Sequence, residues 1–354
     1  MTAFYVLIAI LAFGILILAH EFGHFITAKL SGVKVNEFSL FMGPAIWKKQ
    51  KGETLYALRC IPIGGYCAME GEDGDSDDSR AFTQAKVWKR AVILVAGATM
   101  NFILGFLLVV LFVSIYFGSY VKTMPTTEIK EFNGDRPFAQ VLQTGDRLYK
   151  INGRRVFTND DIGLLLDRNA EGIHDLVIIR DGVKLELQDV VMKRDYASED
   201  GRLLYGLTFE TENVTVGSVL ARSWNESLNF GRLVWMSLGD LISGRESVKN
   251  VSGIVGVVDI VAEAGTQSGT VGIGLLNVLY FFAVISINLG VMNLLPIPAL
   301  DGGRVVCLFV TAAAEKILRR KIDPKYEGYL NGFFMILLMG LMVLITFKDI
   351  WNLF

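Results

Sequence analysis

Histidine is scarce in this 354-residue chain, which has only three: His20, His24 and His174. A metal centre needing more than two imidazoles must therefore recruit His174 or turn to a carboxylate. Cysteine is equally rare. Cys60, Cys67 and Cys307 are odd in number, and Cys307 sits in an apolar run, so no disulfide framework is implied. Cys60 and Cys67 could pair, but buried free thiols are the preferred reading. There is no basic surplus either: 34 basic against 36 acidic residues give a net charge of -2, which argues against a nucleic-acid partner. Met1 to Ala19 carries no charge. A secretory leader would show a basic start and a small-residue cleavage site. Here the apolar stretch runs straight into polar residues, so it reads as a mature membrane helix.

What the chain has in abundance is apolar sequence. It is 52% hydrophobic, with a mean hydropathy of +0.44. That is too apolar for a soluble protein and too charged for one made only of membrane spans, so a mixed architecture is expected. Four segments approach the roughly 20 residues a bilayer requires. They are Phe4 to Ala28, Ala91 to Gly118, Leu275 to Leu295 and Leu330 to Phe347. Lysine and arginine crowd the loops after the first and third segments, so both loops are expected in the cytoplasm and both termini outside.

The long loop Ser119 to Gly274 then lies outside and is large enough for a domain. "IHDLVIIRDGVKLELQDVVM" predicts two strands about an Asp181-Gly182 turn. "TGDRLYKINGRRV" predicts a strand and turn before it. "NDDIGLLLDRNA" predicts a short helix with a capping Asn or Asp. His174 reads as a surface loop residue. Asn225 to Lys249 is amphipathic, which fits a helix packed on the domain and a helix on the membrane surface equally well. Between the first two spans, "RCIPIGGYCAMEGEDGDSDDSR" is apolar and Gly-rich, then acidic. The acidic half reads as a solvated loop, the apolar half as a hairpin dipping into the membrane.

The chemistry begins at "HEFGH". His20 and His24 are four apart, so a helix puts both imidazoles on one face, with Glu21 beside them. This is the pattern of a zinc-hydrolase helix, in which the glutamate is the general base. Zinc lowers the pKa of water it binds from about 15.7 to about 7. A carboxylate at the centre of a span costs about 2.5–3.5 kcal/mol, so polar groups placed there need a partner, and a divalent cation is one. A catalytic zinc takes three protein ligands. The best third candidate is Asp301, in "NLLPIPALDGGR", where Pro296 and Pro298 break the span end and Gly302-Gly303 frees the backbone. The plainer alternative is that Asp301 caps a following helix, Arg304 to Leu318.

Together, "HEFGH" in the first span, "NLLPIPALDGG" after the third, and "QTGDRLYKING" between them resemble the site-2 protease family of intramembrane zinc metalloproteases. "RAFTQAKVWKRAVILVAGATMNFILG" and "IPIGGYCAMEGE" resemble its bacterial RseP type more closely. The resemblance covers nearly the whole chain. It implies a mainly α-helical membrane protein with four transmembrane helices, a membrane re-entrant β-hairpin and an inserted extracytoplasmic α+β PDZ domain. The divisions are then residues 1–118 (two spans and the hairpin), 119–210 (PDZ), 211–274 (amphipathic connection) and 275–354 (two spans).

It also implies zinc held by His20, His24 and Asp301, with Glu21 as the catalytic residue. Asn293 would hold substrate backbone, and the hairpin at Gly64, Gly65 and Tyr66 would receive substrate as an added strand. Implied partners are the lipid bilayer and single-span membrane proteins, either anti-sigma factors or remnant signal peptides, first cut by another protease. The implied location is the bacterial inner membrane, with the active site toward the cytoplasm.

Three places depart from the family pattern. Ala98 stands where Pro is usual, Gln140-Val141-Leu142 where Ala-Gly-Leu is usual, and Ile254 where Pro is usual. There is room for one PDZ domain rather than two, so size-gating by a paired filter does not carry over. A metal-binding protein or transporter using the same His/His/Asp set is the alternative, as is a silent scaffold. Glu21 beside His20 counts against both, because hydrolysis needs it and transport does not.

Overall fold

The computed structural model describes residues 2–72, 74, 76–134, 136–197, 202–247, 253–266, 270–320 and 325–352. The chain divides into two compact units, Met1–Leu108 with Gly231–Phe354, and Val109–Phe230.

The first unit is built on helices α1 (Thr2–Ser31), α2 (Val87–Ile115), α5 (Ile254–Thr266), α6 (Val271–Asn293), α7 (Asp301–Leu318) and α8 (Lys325–Asn352). Stretches Ala3–Ser31, Val87–Val121, Val271–Asn293 and Gly328–Trp351 are long and apolar enough to cross a membrane. Each is apolar on all sides, the mark of a helix surrounded by lipid and other helices. One core joins Tyr5, Ala9 and Leu16 of α1 to Val261 and Ala262 of α5 and to Val278 and Phe282 of α6. Gly265 and Gly274 make room for the Tyr5 ring, since a Cβ on either would fall 2.6 or 2.3 Å from it. The start of α5 is capped from α8, where Asp349 Oδ2 accepts from the Gly253 and Gly256 N–H groups at 2.7 and 3.0 Å. Ser252, the first residue of the "SGIVG" stretch, lies outside the described residues.

Between α1 and α2 lies a long hairpin, β1 (Val35–Lys51) and β2 (Thr54–Met69). It begins well before the apolar stretch from which the sequence predicts it. It also doubles back. Glu37 to Leu40 pair on one side with Leu55 to Leu58 and on the other with Ala68 to Gly65. Val35, Cys67 and Met69 of the hairpin join Ala28 and Val33, Phe82, Ile93 and Leu94, and Leu308 in a second core. The hairpin is thereby wedged between the end of α1, the start of α2, and α7.

The second unit is β-rich. Strands β3 (Thr123–Phe132), β4 (Arg147–Ile151), β5 (Arg154–Arg155), β6 (Ile173–Arg180), β7 (Val183–Val191) and β10 (Leu207–Asn213) form one sheet, in the order β10-β3-β4-β6-β7 with β5 on β4. The β6–β7 turn is Asp181-Gly182 as predicted, both with positive φ, as a two-residue type I′ turn requires. Helix α3 (Asn159–Asp167) is capped by Thr158, not by Asn or Asp. The Asp161 carboxylate accepts from the Phe157 and Thr158 N–H groups and completes a capping box.

Helix α4 (Val216–Ile242) starts nine residues before the predicted amphipathic run, and Lys249 lies outside the described residues. Its first half is packed on the domain. Buried Arg222 donates to Glu226 at 2.9 Å, to Asp160 at 2.8 Å and to the Pro125 carbonyl at 3.1 Å. Its guanidinium also lies over the Phe117 ring.

Two expectations are corrected. Cys60 is exposed, because its strand position turns it away from the core that takes Cys67. His174 is not a loop residue but sits in β6 at 1% exposure, its Nδ1 against Asn152 Nδ2 at 3.1 Å. Burial pushes its imidazole below the usual value, against a smaller opposing effect of the Met192 backbone. The unfolded chain therefore binds the proton more tightly than the folded one. Domain stability is expected to be full above about pH 6.5 and to fall as pH drops through that value. Thermal melting of the full-length protein across pH 5–8 checks this, and His174→Gln should flatten the dependence.

Candidate metal centre

The site forms where α1 ends its apolar run. His20 and His24, one helical turn apart, meet Asp301 at the first turn of α7. Asp301 Oδ2 lies 3.2 Å from His20 Nε2 and 3.3 Å from His24 Nε2, and the two Nε2 atoms are 3.2 Å apart. These three residues are the one group of His, Cys, Asp or Glu among the described residues whose ligand atoms fit a single ion. Asp301 does not cap its helix, since the N-cap is Leu300 and the Asp301 side chain turns to the imidazoles.

The surroundings fit a cation. His24 Nδ1 donates to the Ile93 carbonyl at 2.8 Å, so in the neutral ring Nε2 bears a lone pair. That lone pair faces Asp301 Oδ2, itself buried and without a hydrogen-bond partner. Electron-pair donors converging on one point need a positive charge between them. Burial raises the Asp301 pKa and the neighbouring imidazoles outweigh it, leaving the carboxyl below the ordinary range and ionised. Burial, reinforced by Glu21 and Glu72, pushes the nearby Cys67 thiol up, so it is an inert core group rather than a ligand.

Two close approaches create this geometry. A Cβ on Gly23 would lie 2.3 Å from the Ala96 carbonyl oxygen, and one on Gly97 would lie 2.4 Å from His24 Nε2. The backbones of α1 and α2 thus touch behind the site. On the other side, a Cβ on Gly302 or Gly303 would collide with the carbonyls of Leu294 or Ile297. The glycines are needed there for this tight return of the chain after α6, and it is the return that presents Asp301.

Of the predicted substrate residues, Gly65 is brought to the site. A Cβ on it would stand 3.2 Å from Glu21 Cγ. Its strand pairs with β1 on one side only. Gly64 turns the chain at φ +68 against Met42, and Tyr66 faces Arg59, which lies 5.5 Å over its ring. Asn293 is the last residue of α6, and no hydrogen bond joins it to the histidines or Asp301.

Two contributors were not anticipated. Glu72, just past the hairpin, pairs with Arg304 of α7 at 2.7 Å, linking the strand beside Glu21 to the helix that carries Asp301. Nothing in an acidic run distinguishes Glu72 from its neighbours. Asn101 of α2 is fully buried, with Nδ2 3.2 Å from His20 Nδ1 and Oδ1 unpartnered. A histidine offering Nε2 to a metal carries its proton on Nδ1 and needs an acceptor there. A half-turn of the amide supplies Oδ1 for that role and removes the orphan. Ile93, Gly97 and Asn101 are then successive turns of one α2 face that seats both imidazoles. A polar residue in the middle of the second span was the available signal.

An apolar membrane protein with such a centre belongs among the membrane metalloproteins. Residues 8–341 match the sequence profile of peptidase family M50. A candidate zinc metalloprotease of Clostridium acetobutylicum is 36% identical over 355 residues, covering 99% of this chain and 98% of its own. The zinc metalloprotease RasP of Bacillus licheniformis is 27% identical over 429 residues, and the regulator of sigma-W protease RasP of Bacillus subtilis 26% over 431, each covering 98% of both chains. The chain belongs to peptidase family M50. It is a site-2 type zinc metalloprotease, and zinc is its cofactor.

If Asn101 sets the His20 tautomer, Asn101→Leu should weaken zinc binding by about 10–100-fold. Asn101→Asp should retain affinity close to wild type, because a carboxylate also accepts from Nδ1. Competition against a chelator of known affinity measures both.

Proposed function

We propose that this protease cuts transmembrane segments of single-span membrane proteins, of the anti-sigma factor or remnant signal peptide kind, after another protease has shortened them. The observation that carries this reading is the meeting of His20, His24 and Asp301 beside Glu21 and Gly65, at the end of a helix long and apolar enough to span a bilayer. The names of the RasP relatives support regulated proteolysis of a membrane substrate.

His20, His24 and Asp301 would hold the zinc. Once bound, it supplies Lewis acidity toward a peptide carbonyl and toward water. Glu21 accepts the proton released as water adds to the carbonyl carbon, and passes it to the departing amine nitrogen. Substrate must be extended to be cut. The edge of the Gly65 strand offers backbone groups that an unwound segment can join, and the missing side chain at Gly65 lets that strand pack directly against Glu21. Asn293 holds substrate backbone at the end of α6. The hairpin dips into the membrane, and residues 119–210 are a PDZ domain that screens the extracytoplasmic part of the substrate. On this reading the termini lie outside the inner membrane and the metal centre toward the cytoplasm.

The test is Glu21→Gln in purified full-length protein with a single-span reporter substrate. Cleavage should fall by about 100-fold or more while zinc content is unchanged. Cleavage at the wild-type rate overturns the assignment. For the ligand set, Asp301→Asn should lower zinc content sharply by elemental analysis. An unaltered metal load would mean the third ligand lies elsewhere.

A further inference from the structure

Two cavities lie along one seam between α1 and α2. The larger, about 440 Å³, is an apolar slot. Gly23, Ile26 and Thr27 of α1, a run of α2 from Ala91 to Ile103, and Val305 and Phe309 of α7 line it. The smaller, about 200 Å³, lies at the end of the same two helices. Ser31, Gly32, Gln84, Arg80, Lys86 and Lys89 contribute to it. The same helix faces run under both. On α1, Gly23, Thr27 and Ser31 are four apart. On α2, Lys89, Val92, Ala96, Thr99 and Ile103 follow a spacing of three and four. The apolar slot and the cationic recess therefore follow one another along the same helix faces.

The charges in that recess are available. Glu53 already neutralises Arg80 at 2.7 Å, and also pairs with Lys29. Asp78 is engaged by Lys34. Lys86 and Lys89 have no carboxylate partner among the described residues. Lys89 gives one N–H to the Ser31 carbonyl at 2.8 Å and keeps two. Trp88, 60% exposed beside it, is the amphipathic ring typical of the membrane–water boundary.

The slot is lined almost wholly by apolar side chains and runs along α2 from Ala91 to Ile103, which suits a single polymethylene chain. We propose that this seam binds one anionic phospholipid. Its phosphate sits between Lys86 and Lys89 at the start of α2, and one acyl chain lies in the slot. There it touches Gly23, the residue before His24, and braces the α1–α2 contact on which the metal centre is built.

The test uses full-length protein in nanodiscs of phosphatidylcholine, with or without phosphatidylglycerol, followed by mass spectrometry of lipids retained after transfer to mild detergent. About one phosphatidylglycerol per chain should be retained and should raise the melting temperature, while inorganic phosphate should do neither. Lys86→Gln with Lys89→Gln should cut retention by about tenfold. Thr99→Phe, which fills the slot and leaves both lysines, should also release the lipid, and keeps the test decisive if the lysine variant misfolds. Equal retention of phosphatidylcholine overturns the proposal, as does undiminished phosphatidylglycerol in both variants, or reproduction of the effect by free phosphate. Capture of a substrate span rather than lipid by a photo-crosslinker at Thr99 would overturn it too.

Discussion

Two imidazole nitrogens and a carboxylate oxygen, all within about 3.3 Å of one another near the end of an apolar helix, are the constraint around which the first unit is arranged. Electron-pair donors in a poorly solvated place repel one another unless a cation joins them. Bringing them together needs helices in backbone contact, hence Gly23 against Ala96, Gly97 against His24, and Gly302-Gly303 against the turn after α6. A methyl group at any of these would push a ligand-bearing segment away.

The hairpin gives the centre a direction. Its second strand sets Gly65 against Glu21, and Glu72, just past that strand, is tied to Arg304 of α7. That ion pair is largely shielded from water, so losing one partner would leave an uncompensated charge. Strand and ligand helix are thus fixed to each other. In the second unit, Arg222 plays a comparable part at a smaller scale, fastening α4 to α3 and β3 through one buried guanidinium.

Much of this was legible in the chain. Spans that are apolar on every side announce themselves by composition, and only their ends moved. The spacing in "HEFGH" puts both histidines on one helix face whatever surrounds it. The Asp181-Gly182 turn read correctly because the needed positive φ is a local property. Other features were hidden. The first strand of the hairpin mixes polar and apolar residues without a clean period, because it pairs on both sides. His174 was misread because a lone histidine carries no sign of its burial, which is decided by β7 and Met192 closing over it. Thr158 was missed because its role depends on Asp161 folding back three residues later.

By itself the sequence determined that the chain enters a membrane, that two of its three histidines share one helix face, and that a glutamate stands beside them. These follow from hydrophobicity and from helical periodicity. Only the tertiary structure decided that Asp301 reaches those histidines across some 280 residues, that Asn101 and Ile93 seat their rings, and that Gly65 meets Glu21. Such facts depend on how closely separate segments approach, and close approach is a property of the packed backbone that no local pattern encodes.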